Sequence, residues 1–356
     1  MSETGARHMT PRRVFGIIAV ILAVALLGLI VYLLLMLDGG PLRSIFGETR
    51  GNLRALVVID GPGTGEKPEF DRPLGVAVSP GGDIYVADTG NNRICVFNRR
   101  GRFLFEFGGH GVAKPAPGVD ATWDEGELNF PMGLDVDEQG NVYVADFRND
   151  SISVFTAEGE FVRRFPDPYV PAGRGSSGQD GTGIAVTDVA VRDGKVYATD
   201  SYQVLVFTTQ GELVTQFGKP GLGPGDLDRP NGIDVGEHGT IFVSDSNHNR
   251  VTAFTADGEP VWNVGEPITQ VAGQAEYVFG LPRGITLTSE GTLLVADSFE
   301  FELVEIELDG TLGESYGDRG VEPAQFNFPN GIDEFEGRIV VADKENDRVQ
   351  VLELVR

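Results

Sequence analysis

Histidine is nearly absent: four residues in 356, at positions 8, 110, 238 and 248. Cysteine is scarcer still, with Cys95 alone, so no disulfide framework and no thiolate metal cluster is available. Cys95 falls at an alternating position inside an apolar strand pattern, where a small core side chain is expected. Basic residues are also short. Lys and Arg number 28 against 53 Asp and Glu, a net charge of -25. That balance argues against nucleic acid, whose phosphates need clustered Lys and Arg to displace counterions. It also keeps a large β surface soluble. No phosphate-binding loop or nucleophile elbow is present.

Glycine, at 49 residues, is plentiful, and it punctuates a repeated phrase. The clearest copy runs from Pro73 to Gly108, PLGVAVSPGGDIYVADTGNNRICVFNRRGRFLFEFG. Apolar and polar residues alternate in four short runs split by turns, the period of β structure. The phrase returns as PMGLDVDEQGNVYVAD, TDVAVRDGKVYATD, PNGIDVGEHGTIFVSD, PRGITLTSEGTLLVAD and PNGIDEFEGRIVVAD. The copies close on Asp88, Asp146, Asp200, Asp245, Asp297 and Asp343, spaced 45 to 58 residues apart. A four-stranded unit repeated six times predicts an all-β, six-bladed propeller.

The segment before the repeats reads differently. Residues 1–13 are polar and end in Arg12 and Arg13, and Val14 to Leu37 is an unbroken apolar run of 24 residues. As a helix it would reach about 36 Å, enough to span a bilayer of about 30 Å with some tilt. LLLMLDGGP offers no small-x-small cleavage site, so an uncleaved transmembrane signal-anchor helix is expected rather than a signal peptide. Arg7, Arg12 and Arg13 precede the run and Asp38 follows it. The positive-inside rule then puts residues 1–13 in the cytoplasm as a tail and the repeats outside the cell membrane. Residues 38–52 make a linker, and 53–356 the propeller.

Leu53 to Ile59 is a strand without a repeat of its own, while the sixth copy stops after three strands. From Asp60 to Pro73 is 13 residues, as from Phe217 to Pro230 and from Tyr316 to Pro329. The N-terminal strand is therefore expected to serve as the fourth strand of the last blade, closing edges that would otherwise pair with other chains. With strands lettered a to d from the axis outward, the a–b and c–d turns share one face. The b–c turns and d–a loops share the other, called outward here, and the linker enters on the first face.

The phrase resembles the NHL repeat, which builds six-bladed propellers. The likeness covers nearly all of residues 53–356. Copies one, two, four and six match well; copy three has lost the Pro-x-Gly lead and copy five replaces its turn with SFEFE. Relatives of this layout include the extracellular sensor domain of a bacterial receptor kinase, metal-dependent amidation lyases and distant lactonases, so the fold implies no single activity. The zinc site of the lyases is not expected here. His8 precedes the apolar run, and His238 lies on the face opposite His248 and His110.

Three groups of residues remain. Asp88 with Arg93, Asp245 with Arg250 and Asp343 with Arg348 read as structural locks of the b–c turns. In the innermost strands, blades two, four and six carry Asp135, Asp234 and Asp333. They would either hold Ca²⁺ or another hydrated cation on the axis or cap local backbone and water. On the outward face, turns two, three and five carry Phe147, Tyr202, Phe299 and Phe301, with Arg148, Arg283 and, in a long loop, Trp123. Aromatics beside arginine are the composition of recognition surfaces. The sequence thus predicts a membrane-anchored extracytoplasmic binding or sensor module for a protein or glycan partner. The alternative is a metal-dependent lactonase- or lyase-like enzyme using the axial carboxylates.

Overall fold

The computed structural model describes residues 49–50, 52–65, 69–111, 125–166, 185–265 and 278–355. The apolar run 14–37 and Trp123 lie outside the described residues, and no helix among the described residues is long and apolar enough to cross a membrane.

Six antiparallel sheets follow one another along the chain. Blade one pairs Gly75–Val78, Ile84–Asp88, Arg93–Phe97 and Phe103–Gly108 in order. Blade two runs from Pro131–Val136 to Phe161–Phe165, blade three from Val186–Arg192 to Leu213–Phe217 and blade four from Gly232–Val235 to Pro260–Gly265. Blade five runs from Pro282–Leu287 to Leu312–Tyr316. In blade six, Pro329–Phe335, Arg338–Asp343 and Arg348–Leu354 are completed by Leu53–Ile59. That strand pairs Leu53 with Leu354 and Ile59 with Val349, and Thr49–Arg50 folds back on its outer edge. Each innermost strand packs on the next, and the sixth packs on the first, so the disc is a closed ring.

The alternation has a direct packing outcome: one apolar cluster fills each gap between neighbouring blades. Between blades one and two lie Tyr85, Ile94, Val96, Leu134, Val142 and Phe155. The closing strand serves two gaps, with Leu53 and Ala55 in the five–six cluster and Ile59 in the six–one cluster. Each fully buried Val, Leu, Ile or Phe contributes about 1.5–3 kcal/mol, so the strand binds the ring through its side chains as well as its ladder. Cys95 is buried in the six–one cluster, where burial pushes its thiol pKa upward and leaves it an inert apolar filler.

The Pro-x-Gly lead answers to crowding at the axis. A Cβ on Gly75 would stand 2.2 Å from the Met132 carbonyl oxygen, one on Gly232 2.2 Å from that of Arg283, and one on Gly331 2.6 Å from that of Leu74. Six inner strands converge here, and at five of them glycine lets neighbouring backbones meet.

Candidate functional site

The b–c turns are built alike. Every strand-b aspartate is fully buried and accepts a hydrogen bond from a backbone N–H of the chain entering the same blade: Asp71 on Asp88 (2.8 Å), Asn129 on Asp146 (2.7 Å), Ala185 on Asp200 (3.0 Å), Asp228 on Asp245 (2.9 Å), Leu281 on Asp297 (2.8 Å) and Asn327 on Asp343 (2.6 Å). The second oxygen takes the arginine Nε in blades one, four and six: Arg93 to Asp88 at 2.8 Å, Arg250 to Asp245 at 2.9 Å and Arg348 to Asp343 at 2.7 Å. Burial raises the pKa of each of these three carboxyls, and the paired arginine opposes that rise. In blade two the partner is Arg164, from the outer strand, 3.1 Å from Asp146. A search five residues past the aspartate finds Ser151 there instead. His248 is also spent on this network, its Nδ1 2.7 Å from Asp245.

Turning inward, a cavity of about 60 Å³ lies on the axis, lined by the glycine collar and by Asp135, Asp234 and Asp333. Each of these carboxylates staples its own blade to the next. Asp135 accepts from its neighbour Val136 (2.6 Å) and from Val191 of blade three (2.6 Å). Asp234 accepts from Val235 (2.6 Å) and from Leu287 of blade five (2.6 Å). Asp333 accepts from Glu334 (2.7 Å) and from Val78 of blade one (2.6 Å), across the joint where the ring closes, and Thr286 adds a hydroxyl at 3.2 Å.

A fourth carboxylate joins them. Asp188 occupies the glycine place of blade three, where the lead is lost, and lies against Gly133, whose Cβ would be 1.8 Å from its Oδ1. Its oxygens accept from Val189 (2.9 Å) and from Ile233 of blade four (3.2 Å). Its signal in the sequence is an acidic residue standing where every other copy has glycine.

Burial pushes Asp135 up to about 7, Asp234 to about 6 and Asp333 to about 8, and Asp188 well above the usual carboxylate range. Mutual repulsion adds to the rise for Asp135, Asp188 and Asp333, while Arg192 pulls Asp234 down. Carboxyl groups whose two oxygens each hold an N–H donor are poorer cation ligands than free ones. Among the described residues, no group of three or more His, Cys, Asp or Glu side chains is placed to hold a metal ion. Of the two roles expected for Asp135, Asp234 and Asp333, the geometry displays the backbone-capping one.

On the outward face the structure gathers some of the expected aromatics and separates others. Phe299 and Phe301 both pack edge-on against Phe328, at 5.7 and 5.3 Å. Arg319 lies over Phe301 (4.8 Å) and Lys344 over Phe328 (5.8 Å). Phe299 is 53% exposed. In blade two, Phe147 packs on Phe130 (6.1 Å) with Arg148 over the Phe130 ring (4.5 Å). Tyr202 is exposed and joins neither group. Phe130 and Phe328 escaped the sequence reading. Each precedes the lead proline in a left-handed conformation, φ 61° and 57°, which a bulky residue rarely adopts and which no periodicity announces. Phe301 also sits at φ 62°.

The family model described as NHL repeat matches residues 70–97 and 128–155, and one described as 6-bladed beta-propeller matches residues 180–284. The chain carries NHL repeats within a six-bladed β-propeller. It is similar to Protein brain tumor of Drosophila melanogaster, 28% identical over 42% of this chain and 13% of that one. It is also similar to peptidyl-glycine alpha-amidating monooxygenase B of Xenopus laevis, 31% identical over 54% of this chain and 21% of that one. The chain thus spans 13% and 21% of the length of these curated relatives. Among solved structures, a gluconolactonase of Xanthomonas campestris superposes with a TM-score of 0.55 at 18% identity, covering 85% of this chain and 89% of that one, a likeness of fold.

Proposed function

We propose that this chain is a binding or sensor module that takes a protein or glycan partner on its outward face, held outside the cell membrane by residues 14–37 as a single-pass anchor. The observation that carries the reading is the Phe299–Phe301–Phe328 group with Arg319 and Lys344 over its rings. A half-exposed aromatic seated on other rings keeps its shape without a partner, and so loses little conformational freedom on binding. The charge and the 24-residue apolar run support the location.

The test is photocrosslinking in cells from position 299 of the full chain. A discrete adduct is expected, lost in Phe301→Ala, with the unfolding midpoint little changed. Adduct patterns identical to those from a probe on the opposite face, at Asp309, would overturn the reading. The lactonase- or lyase-like alternative rests on fold likeness alone, since the axial carboxylates are engaged by backbone. Elemental analysis and assays with added Ca²⁺ or Zn²⁺ address it.

A further inference from the structure

Above the carboxylates, the channel opens through a second ring. One residue from each blade precedes the glycine position: Leu74, Met132, Thr187, Asn231 and Asn330, which line the axial cavity, and Arg283, which holds the same register in blade five between the two asparagines. The lead prolines of blades two, five and six pair with the last residue of strand b, which places this ring at the outward end. Three residues separate it from the axial aspartates of the same strands, about 10 Å of strand rise.

The ring is two-sided. Blades one and two offer hydrocarbon, Leu74 and Met132. Thr187 has no bond to give, because its hydroxyl is held by Thr199 Oγ1 and the Pro230 carbonyl, both at 2.8 Å. Blades four, five and six offer an amide, a guanidinium and an amide. Among the described residues, the side chains of Asn231, Arg283 and Asn330 make no hydrogen bond or ion pair, although Asn231 is only 7% exposed. The arginines buried at the b–c turns, Arg93, Arg164, Arg250 and Arg348, are by contrast each paired with a strand-b aspartate. Burial lowers the pKa of Arg283, and among the described residues no carboxylate offsets it. A partly buried guanidinium whose five donors meet no protein acceptor is open to an anion.

We propose that Asn231, Arg283 and Asn330 form a carboxylate-binding site at the channel mouth, taking a monocarboxylate whose apolar portion lies over Leu74 and Met132. The guanidinium fork matches a carboxylate in two parallel bonds, and the flanking amides supply further donors. One cation and two neutral amides suit a single negative charge better than a phosphate's two. The site goes beyond the partner surface proposed above and needs none of the aromatic residues.

Two sources share this chemistry, a free small acid and the C-terminus of a peptide. The full chain in detergent is titrated calorimetrically with isovalerate, with the tripeptide acetyl-Gly-Leu-Val, with its C-terminal amide and with inorganic phosphate. The proposal expects carboxylate binding that the amide lacks and that weakens about tenfold or more in Arg283→Met, with the unfolding midpoint unchanged. Arg283→Lys should restore only part of it. A peptide at least about tenfold tighter than isovalerate points to a chain terminus, and comparable affinities to a small acid. Equal binding of acid and amide, tighter binding of phosphate, equal binding by wild type and Arg283→Met, or no binding of either carboxylate overturns the site. None of these outcomes depends on the Phe299 crosslink, so each reading can fail alone.

Discussion

The two levels of the channel differ in one respect that decides how each is read. At the inner level, Asp135, Asp188, Asp234 and Asp333 have their oxygens filled by backbone N–H groups of their own and the following blade. At the outer level, Arg283 and two asparagines have comparable polarity and, among the described residues, no side-chain partner. Polar groups engaged by backbone specify the ring; those with no protein partner are open to water or to a ligand. Residue type alone does not separate the cases, since both levels carry polar side chains from several blades.

The comparison can be broken at its tightest point first. Gly75→Ala drives a Cβ into the Met132 carbonyl, where backbone rather than a flexible side chain must yield. A loss of about 3 kcal/mol is expected in urea unfolding, at the upper end for overpacking. Asp333→Ala should cost about 2 kcal/mol, because it leaves the Val78 N–H without its acceptor at the joint between the last blade and the first. Arg283→Met, by contrast, should change stability by no more than about 0.5 kcal/mol.

A pH series sharpens the same contrast. The axial carboxyls have folded values of about 6 to 8, against about 4 in an unfolded chain. Between those limits the folded state holds more protons than the unfolded one. The contribution of these groups to stability is full below about pH 4 and declines as pH rises to about 8. Asp135→Asn with Asp234→Asn and Asp333→Asn should flatten that decline, seen as a smaller difference between unfolding midpoints at pH 5 and pH 8. An unaltered pH profile would show that these carboxyls titrate normally.

Much of the fold was legible because its determinants are local and repeated. Six copies of one phrase gave the blade number, and the count of 13 residues to Pro73 gave the closing strand its place in blade six. The alternate-blade aspartates could be placed on the axis from register alone, yet the partners of their oxygens could not, because Val191, Leu287 and Val78 are backbone donors with no side-chain signature. Asp188 and Arg164 were hidden for the opposite reason. Each breaks the repeat at one position and is rescued by geometry, Asp188 in a glycine's place and Arg164 reaching Asp146 from another strand. Phe130 and Phe328 depend on left-handed backbone before proline, which the surrounding loops impose.

The closing strand has a mechanical meaning as well. Its first paired residue, Leu53, sits opposite Leu354 at the face away from the b–c turns, and its last, Ile59, opposite Val349 near them. A force stretching the molecule between the segment before Leu53 and something gripping the outward face therefore runs lengthwise along this strand. It loads all the rungs from Leu53 to Ile59 together rather than peeling them one by one, and the wheel resists tension in the direction in which a tether would pull.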